Sequence, residues 1–236
     1  MLFRSDGLTS ALATLGEAAG GDLLAPVDAA QEVWAAGVTY LRSREARVEE
    51  SQSKDLYEKV YEADRVEVFF KAIGWRVAGH GEAVRIRRDS RWNVPEPELT
   101  LVLNGAGDIV GYCAGNDMSS RDIEGENALY LPQAKIYDGS CALGPGILLA
   151  DPDSLVDLPI RMSIRRGGAV AFQGETSSAQ LKRSLEEIAG WLTRELAFPD
   201  GVLLMTGTGI VPPDDFSLAV GDTVRIEVGE IGRAHV

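Results

Sequence analysis

The feature that most constrains the fold is a strand–turn–strand unit with acidic residues at its open end. Leu99-Thr100-Leu101-Val102-Leu103 has strand composition, Gly105-Ala106-Gly107-Asp108 is a turn signal, and Ile109-Val110-Gly111-Tyr112-Cys113-Ala114 resumes strand character. Val94-Pro95-Glu96-Pro97-Glu98 leads in, and Gly115-Asn116-Asp117-Met118 leads out. Residues i and i+2 of a strand share a face, about 7 Å apart, so Glu96 and Glu98 point the same way. If 105–108 form the hairpin loop, Asn104 pairs with Ile109, and counting outward sets Glu96 opposite Asp117. A slip of one residue would turn Asp117 to the other face. Three carboxylates converging on one point repel unless a cation neutralises them. Oxygen-only ligands suit Mg²⁺, Mn²⁺ or Ca²⁺ rather than zinc, and an incomplete protein shell suits Mg²⁺. An edge strand carrying scattered, solvated acids is the competing reading of the same residues.

Composition narrows the setting. The 236 residues suit one large domain with a small N-terminal addition, and 45% hydrophobic content is enough for a sizeable core. A net charge of −13 argues against nucleic acid and anionic membranes as partners. No apolar run approaches the roughly 20 residues of a membrane span, and Met1-Leu2-Phe3-Arg4-Ser5-Asp6 does not open a secretory signal. Cys113 and Cys141, the two cysteines, lie in strand-like segments and read as reduced core thiols of a cytoplasmic protein.

Along the chain, 8–19 reads as a helix stopped by Gly20-Gly21, 31–40 as a strand, and 44–64 as a charged helix with Leu56, Val60 and Ala63 on one face. Residues 69–94 read as strands and turns, with 85–89 as an exposed strand. The stretch 115–145 is mostly loop by composition, and long loops of this kind are usually functional. A hairpin is expected over 158–173 through Arg166-Gly167-Gly168. A helix follows, with Ser178 as N-cap and Leu181, Leu185, Ile188, Leu192 and Leu196 as its core stripe. A buried strand over 201–209 ends in Thr206-Gly207-Thr208-Gly209, and 222–228 is a last strand.

Four ordered motifs, Pro-Glu-Pro-Glu-Leu from Pro95, GYCAGNDMSSRDIEGENALYLPQAK from Gly111, Gly174-Glu175-Thr176-Ser177-Ser178 and the Leu203 to Gly209 run, resemble the fumarylacetoacetate hydrolase family over most of the chain. The resemblance implies an α+β, mainly β fold, a roll of mixed β-sheets with few helices and the site in a cleft. It implies Glu96, Glu98 and Asp117 as metal ligands, Mg²⁺ (or Mn²⁺) as cofactor, Lys135 as active-site lysine, Thr208 as a substrate-binding threonine, and a homodimer. It also suggests that 44–64 acts as a flap. On this reading residues 1–36 are a small, incomplete N-terminal region and 37–230 the catalytic domain. Ile231-Gly232-Arg233-Ala234-His235-Val236 departs from the family's usual ending and reads as an artificial tail.

The branch follows from two positions. Family hydrolases, which cut carbon–carbon bonds in 1,3-diketones, carry a water-activating histidine shortly after the tyrosine that Tyr40 matches. Here the segment is Leu41-Arg42-Ser43-Arg44-Glu45-Ala46, and neither His80 nor His235 fits that slot. The long Gly115 to Lys135 motif, and Glu67 ahead of Phe69-Phe70-Lys71, resemble the 2-keto-3-deoxy-pentonate dehydratase branch instead. Such a substrate would chelate the metal through its carboxylate and keto oxygen, and the metal would stabilise the enolate left by proton loss at carbon 3. Lys135 is assigned as base and Glu67 as acid, with the reverse open. Lys71, Arg121 and Gln133 are the further candidates for substrate contact. The alternatives are an acylpyruvate or fumarylacetoacetate-type hydrolase, or a 2-keto acid isomerase or decarboxylase.

Overall fold

In the computed structural model, which describes residues 23–42 and 54–235, the chain folds around two antiparallel-rich sheets. The larger has six strands. They are β1 (Glu32–Gly37), β2 (Glu67–Ile73), β4 (Pro97–Leu103), β5 (Ile109–Asp117), β7 (Cys141–Leu149) and β10 (Val202–Met205), in the order β2-β1-β10-β4-β5-β7. Among the described strands, its only parallel pairing is β1 with β10. A second sheet has four strands, β12-β11-β8-β9, formed by β8 (Pro159–Arg166), β9 (Ala169–Ser177), β11 (Thr223–Val228) and β12 (Ile231–His235). A short pair, β3 (Asn93–Val94) and β6 (Ser119–Ser120), brackets the acidic residues. The described helices are α1 (Lys54–Glu62), α2 (Arg121–Glu126), α3 (Leu131–Lys135) and α4 (Leu185–Thr193). The sheets carry the fold, as the α+β, mainly β expectation required.

Alternation along the strands builds the core. Leu99, Leu101 and Leu103 of β4 face inward with Ile160, Met162 and Ile164 of β8, Val224, Ile226 and Val228 of β11, and Leu185, Ile188 and Leu192 of α4. The opposite face of the large sheet buries Val33, Ala35, Cys113, Cys141, Leu203 and Met205. Glu98, Thr100 and Val102 alternate with the leucines, so this second face is apolar in the middle and acidic at the end of β4.

The β4–β5 register agrees with the count made from the sequence near the site. Pro97 pairs with Asn116 and Glu98 with Gly115, and Asp117 N donates to Glu96 O at 3.0 Å. The loop end differs: Leu103, not Asn104, pairs with Ile109, and a register shift lies between Val102 and Leu103. A bulge of one residue restores the register beyond it.

Several local expectations are corrected. The 85–89 segment forms no strand; Arg87 turns to pair with Asp89 at 2.6 Å. The 115–145 stretch is not mostly loop: β5 runs to Asp117, then come β6, two helices and β7. Ser184 rather than Ser178 caps α4, accepting from Glu187 N at 3.1 Å, and Ser178 instead begins a 3₁₀ turn. Leu196 lies beyond α4 and is exposed. Of the 44–64 helix, Lys54–Glu62 is observed; the 8–19 helix and residues 43–53 lie outside the described residues.

Candidate active site

The ends of β4 and β5 bring Glu96, Glu98 and Asp117 together, with one carboxylate oxygen from each lying within 4.8 Å of the others. They are 3%, 1% and 1% exposed, so water does little to screen them. The protein supplies donors instead, each from a different segment. Arg121 at the start of α2 donates to Glu96 Oε1 from Nη2 at 2.9 Å and from Nε at 3.2 Å. Lys71 Nζ on β2 pairs with Asp117 Oδ1 at 2.5 Å. The Gly207 N–H, just past β10, donates to Glu98 Oε2 at 2.6 Å. Lys135, the last residue of α3, donates from Nζ to Glu96 Oε2 at 2.6 Å, Asp117 Oδ2 at 2.9 Å and Ser119 Oγ at 2.5 Å.

Glu98 faces a different balance. Burial, then the charges of Asp117 and Glu96, push its carboxyl well above the usual range, against the smaller pull of Lys135 and the Gly207 N–H. A carboxyl in that position holds charge readily only when a further cation arrives. Three buried carboxylates with no nitrogen or sulfur ligand among them fit a hard divalent ion such as Mg²⁺ or Mn²⁺.

These acids border a narrow cavity of about 30 Å³, enough for an ion beside them. Gly37, Val38, Glu67, Phe69, Glu124, Leu131, Lys135, Gly207 and Thr208 complete much of its lining. Glu67 reaches it across Gly37: a methyl group at Gly37 would stand 2.1 Å from Glu67 Oε2, so the missing side chain is what admits the carboxylate. Gly207 sits at φ +93°, a backbone setting suited to glycine, and this turn presents its N–H to Glu98. Thr208 is buried, and its hydroxyl accepts from Ile210 N at 3.2 Å.

Of the residues singled out in the sequence, Glu96, Glu98, Asp117, Lys135, Glu67 and Thr208 share this cavity. Lys71, Arg121 and Gln133 do not line it. Lys71 and Arg121 are fully buried behind the carboxylates, and Gln133 is exposed on α3, its carbonyl accepting from Arg87. Sequence reasoning missed the parts played by Gly207, Gly37 and Val38. Val38 is a β-branched residue at φ +53°, in the left-handed region that such residues avoid. The Thr-Gly-Thr-Gly turn after a buried strand was the available signal for Gly207.

The model of the fumarylacetoacetate (FAA) hydrolase C-terminal family matches residues 32–236. The chain is 49% identical over 208 residues to a Haloferax volcanii protein named "Probable 2-keto-3-deoxyxylonate dehydratase", covering 88% of this chain and 71% of that one. It is 46% identical over 212 residues to the 2-dehydro-3-deoxy-D-arabinonate dehydratase of Saccharolobus solfataricus, with the same 88% and 71% coverage. A solved structure of 2-keto-3-deoxy-D-arabinonate dehydratase complexed with magnesium and 2,5-dioxopentanoate shares the fold at a TM-score of 0.78 and 43% identity, covering 88% of this chain and 72% of that one. With its ligand-type carboxylates gathered where the sequence motifs set them, the chain belongs to the fumarylacetoacetate hydrolase family.

Proposed function

We propose that this protein is a Mg²⁺-dependent dehydratase of 2-keto-3-deoxy sugar acids, converting a 2-dehydro-3-deoxy-pentonate to 2,5-dioxopentanoate. The observation that carries the reading is Glu67, a carboxylate outside the ligand set that nevertheless reaches the same small cavity as Lys135 and the three buried acids. The relatives named as 2-keto-3-deoxyxylonate and 2-dehydro-3-deoxy-D-arabinonate dehydratases support the choice of substrate class. A hydrolase of this family would use a histidine after Tyr40, and this chain has none between Leu41 and His80.

Glu96, Glu98 and Asp117 would hold the ion. A bound Mg²⁺ would polarise the keto group of a chelating 2-keto acid. Lys135 takes the proton from carbon 3. Its contacts with Ser119, Glu96 and Asp117 keep the nitrogen beside the carboxylates. Glu67 gives a proton to the hydroxyl leaving carbon 4, so that water departs. The unsaturated acid that remains tautomerises to the dioxo product. Thr208 contacts the substrate from the opposite turn, and Val38, Phe69 and Leu131 supply the apolar part of the lining. Arg121 serves by holding Glu96.

The protein works in the cytoplasm as a homodimer. Two buried thiols, Cys113 and Cys141, both free, suit a reducing compartment. No described helix is long and apolar enough to cross a membrane. Light scattering on the eluted protein reads the dimer directly.

Purified protein with Mg²⁺ should release 2,5-dioxopentanoate from a 2-keto-3-deoxy-pentonate, and a chelator should stop it. Glu67→Gln should lower kcat by about 10²-fold or more while Mg²⁺ binding persists. Cleavage of acetylpyruvate without any dehydration would overturn the reading.

A further inference from the structure

Lys71 is fully buried on β2, yet it lies outside the cavity. Its ammonium pairs with Asp117 Oδ1 at 2.5 Å and donates to the Met118 carbonyl at 3.0 Å and to the Lys135 carbonyl at 2.5 Å. One group thus joins the strand that carries Glu67, the end of the strand that carries Asp117, and the last turn of the helix that carries Lys135. A lysine here satisfies a carbonyl at a helix C-terminus, where a cation is favoured. It also engages one particular oxygen of Asp117 and leaves Oδ2 on the side of Lys135.

The other two carboxylates repeat the pattern. Arg121 takes Glu96 Oε1, and Lys135 meets Oε2; the Gly207 N–H takes Glu98 Oε2. Each acid therefore has one oxygen held by a donor other than Lys135, and the remaining oxygens of Glu96 and Asp117 are the ones that meet Lys135.

We propose that Lys71 is a positioning residue that holds Asp117 as a one-oxygen ligand, and that with Arg121 and the Gly207 N–H it makes the site selective for small hard cations over Ca²⁺. The inference rests on the reading of Glu96, Glu98 and Asp117 as a cation site. Ca²⁺ accepts six to eight oxygens and takes carboxylates through both oxygens, whereas Mg²⁺ requires a compact octahedron and keeps water as ligands. A donor already bound to one oxygen of each acid disfavours the two-oxygen mode. Partners that orient ligating carboxylates commonly change metal affinity 10–100-fold when removed. A role in contacting substrate, which the sequence suggested for Lys71, makes a different prediction.

The test is calorimetric titration of the folded protein with Mg²⁺, Mn²⁺ and Ca²⁺, for the unaltered chain and for Lys71→Met. The unaltered chain should bind Mg²⁺ or Mn²⁺ at least 10-fold tighter than Ca²⁺. Lys71→Met should lose about 10–100-fold in Mg²⁺ affinity, lose less for Ca²⁺, and keep its KM for the 2-keto acid at saturating Mg²⁺. Unchanged Mg²⁺ affinity with a raised KM would overturn the proposal and return Lys71 to substrate contact. If Lys71→Met does not fold, the cation preference of the unaltered chain decides, and a preference for Ca²⁺ overturns the proposal. Failure of the unaltered chain to bind any of the three ions would instead sink the cation site itself.

Discussion

Gly37→Ala separates Glu67 from everything else in the site, because it alters no charge and no ligand. The added methyl would lie 2.1 Å from Glu67 Oε2 and 2.7 Å from its Cδ, where ordinary contact begins at 3.4 Å. The carboxylate must then move by the difference, about 1.3 Å. Gly37 does not sit at positive φ, so alanine suits the local backbone and Glu67 is the group that yields. A misplacement of about 1 Å can cost on the order of 10²-fold in rate, equivalent to about 2.7 kcal/mol of barrier. We therefore expect kcat for dehydration, followed as 2,5-dioxopentanoate formed, to fall by about 10²-fold. Mg²⁺ affinity should stay within error, since Glu96, Glu98 and Asp117 are untouched. Stability should change by less than about 1 kcal/mol, the usual scale for a glycine-to-alanine exchange at a compatible position. The same change made in a Glu67→Gln background should add little further loss, because both act on one carboxylate. Full activity in Gly37→Ala, or equal losses in both backgrounds, would refute the claim that Gly37 serves to seat Glu67.

Three other outcomes are expected. Leu101→Ala, at a fully buried position between the sheets, should destabilise the protein by about 2–5 kcal/mol in denaturant melts. Removing divalent ions with a chelator should lower the melting temperature, and Mg²⁺ should restore it in proportion to the logarithm of its concentration, since the ion binds only the folded site. Arg166 holds the Asp222 carboxyl below the usual aspartate range through contacts of 2.8 and 2.7 Å. The stabilisation from a depressed carboxyl is present above the unfolded pKa of about 3.9 and fades as pH falls through the lower folded value. Asp222→Asn should therefore be less stable than the unaltered chain near pH 7, with the gap closing below about pH 4 in pH-resolved melts.

The sequence by itself carried most of the strands, the shared face of Glu96 and Glu98, and the family resemblance. Alternating leucines from Leu99 to Leu103 could bury only one face, so Glu96 and Glu98 had to share the other, and the count across the turn set Asp117 beside them. The absence of a histidine after Tyr40, with Glu67 ahead of Phe69, was likewise legible, because it concerns residue identity rather than position in space. The 115–145 stretch misled because its glycines and polar residues have loop composition, while their order in the fold comes from bonds to distant segments. Arg121, for example, is fixed by Glu96, and Lys135 by Asp117 and Ser119. Only the tertiary structure decided what each cation does. Nothing local distinguishes Lys71, buried against Asp117, from Gln133, exposed on α3. The bulge between Val102 and Leu103 and the donation from Gly207 to Glu98 belong to the same class. Gly207 is separated from Glu98 by more than a hundred residues. Contacts at that separation are chosen by how whole sheets pack, which no window of sequence contains.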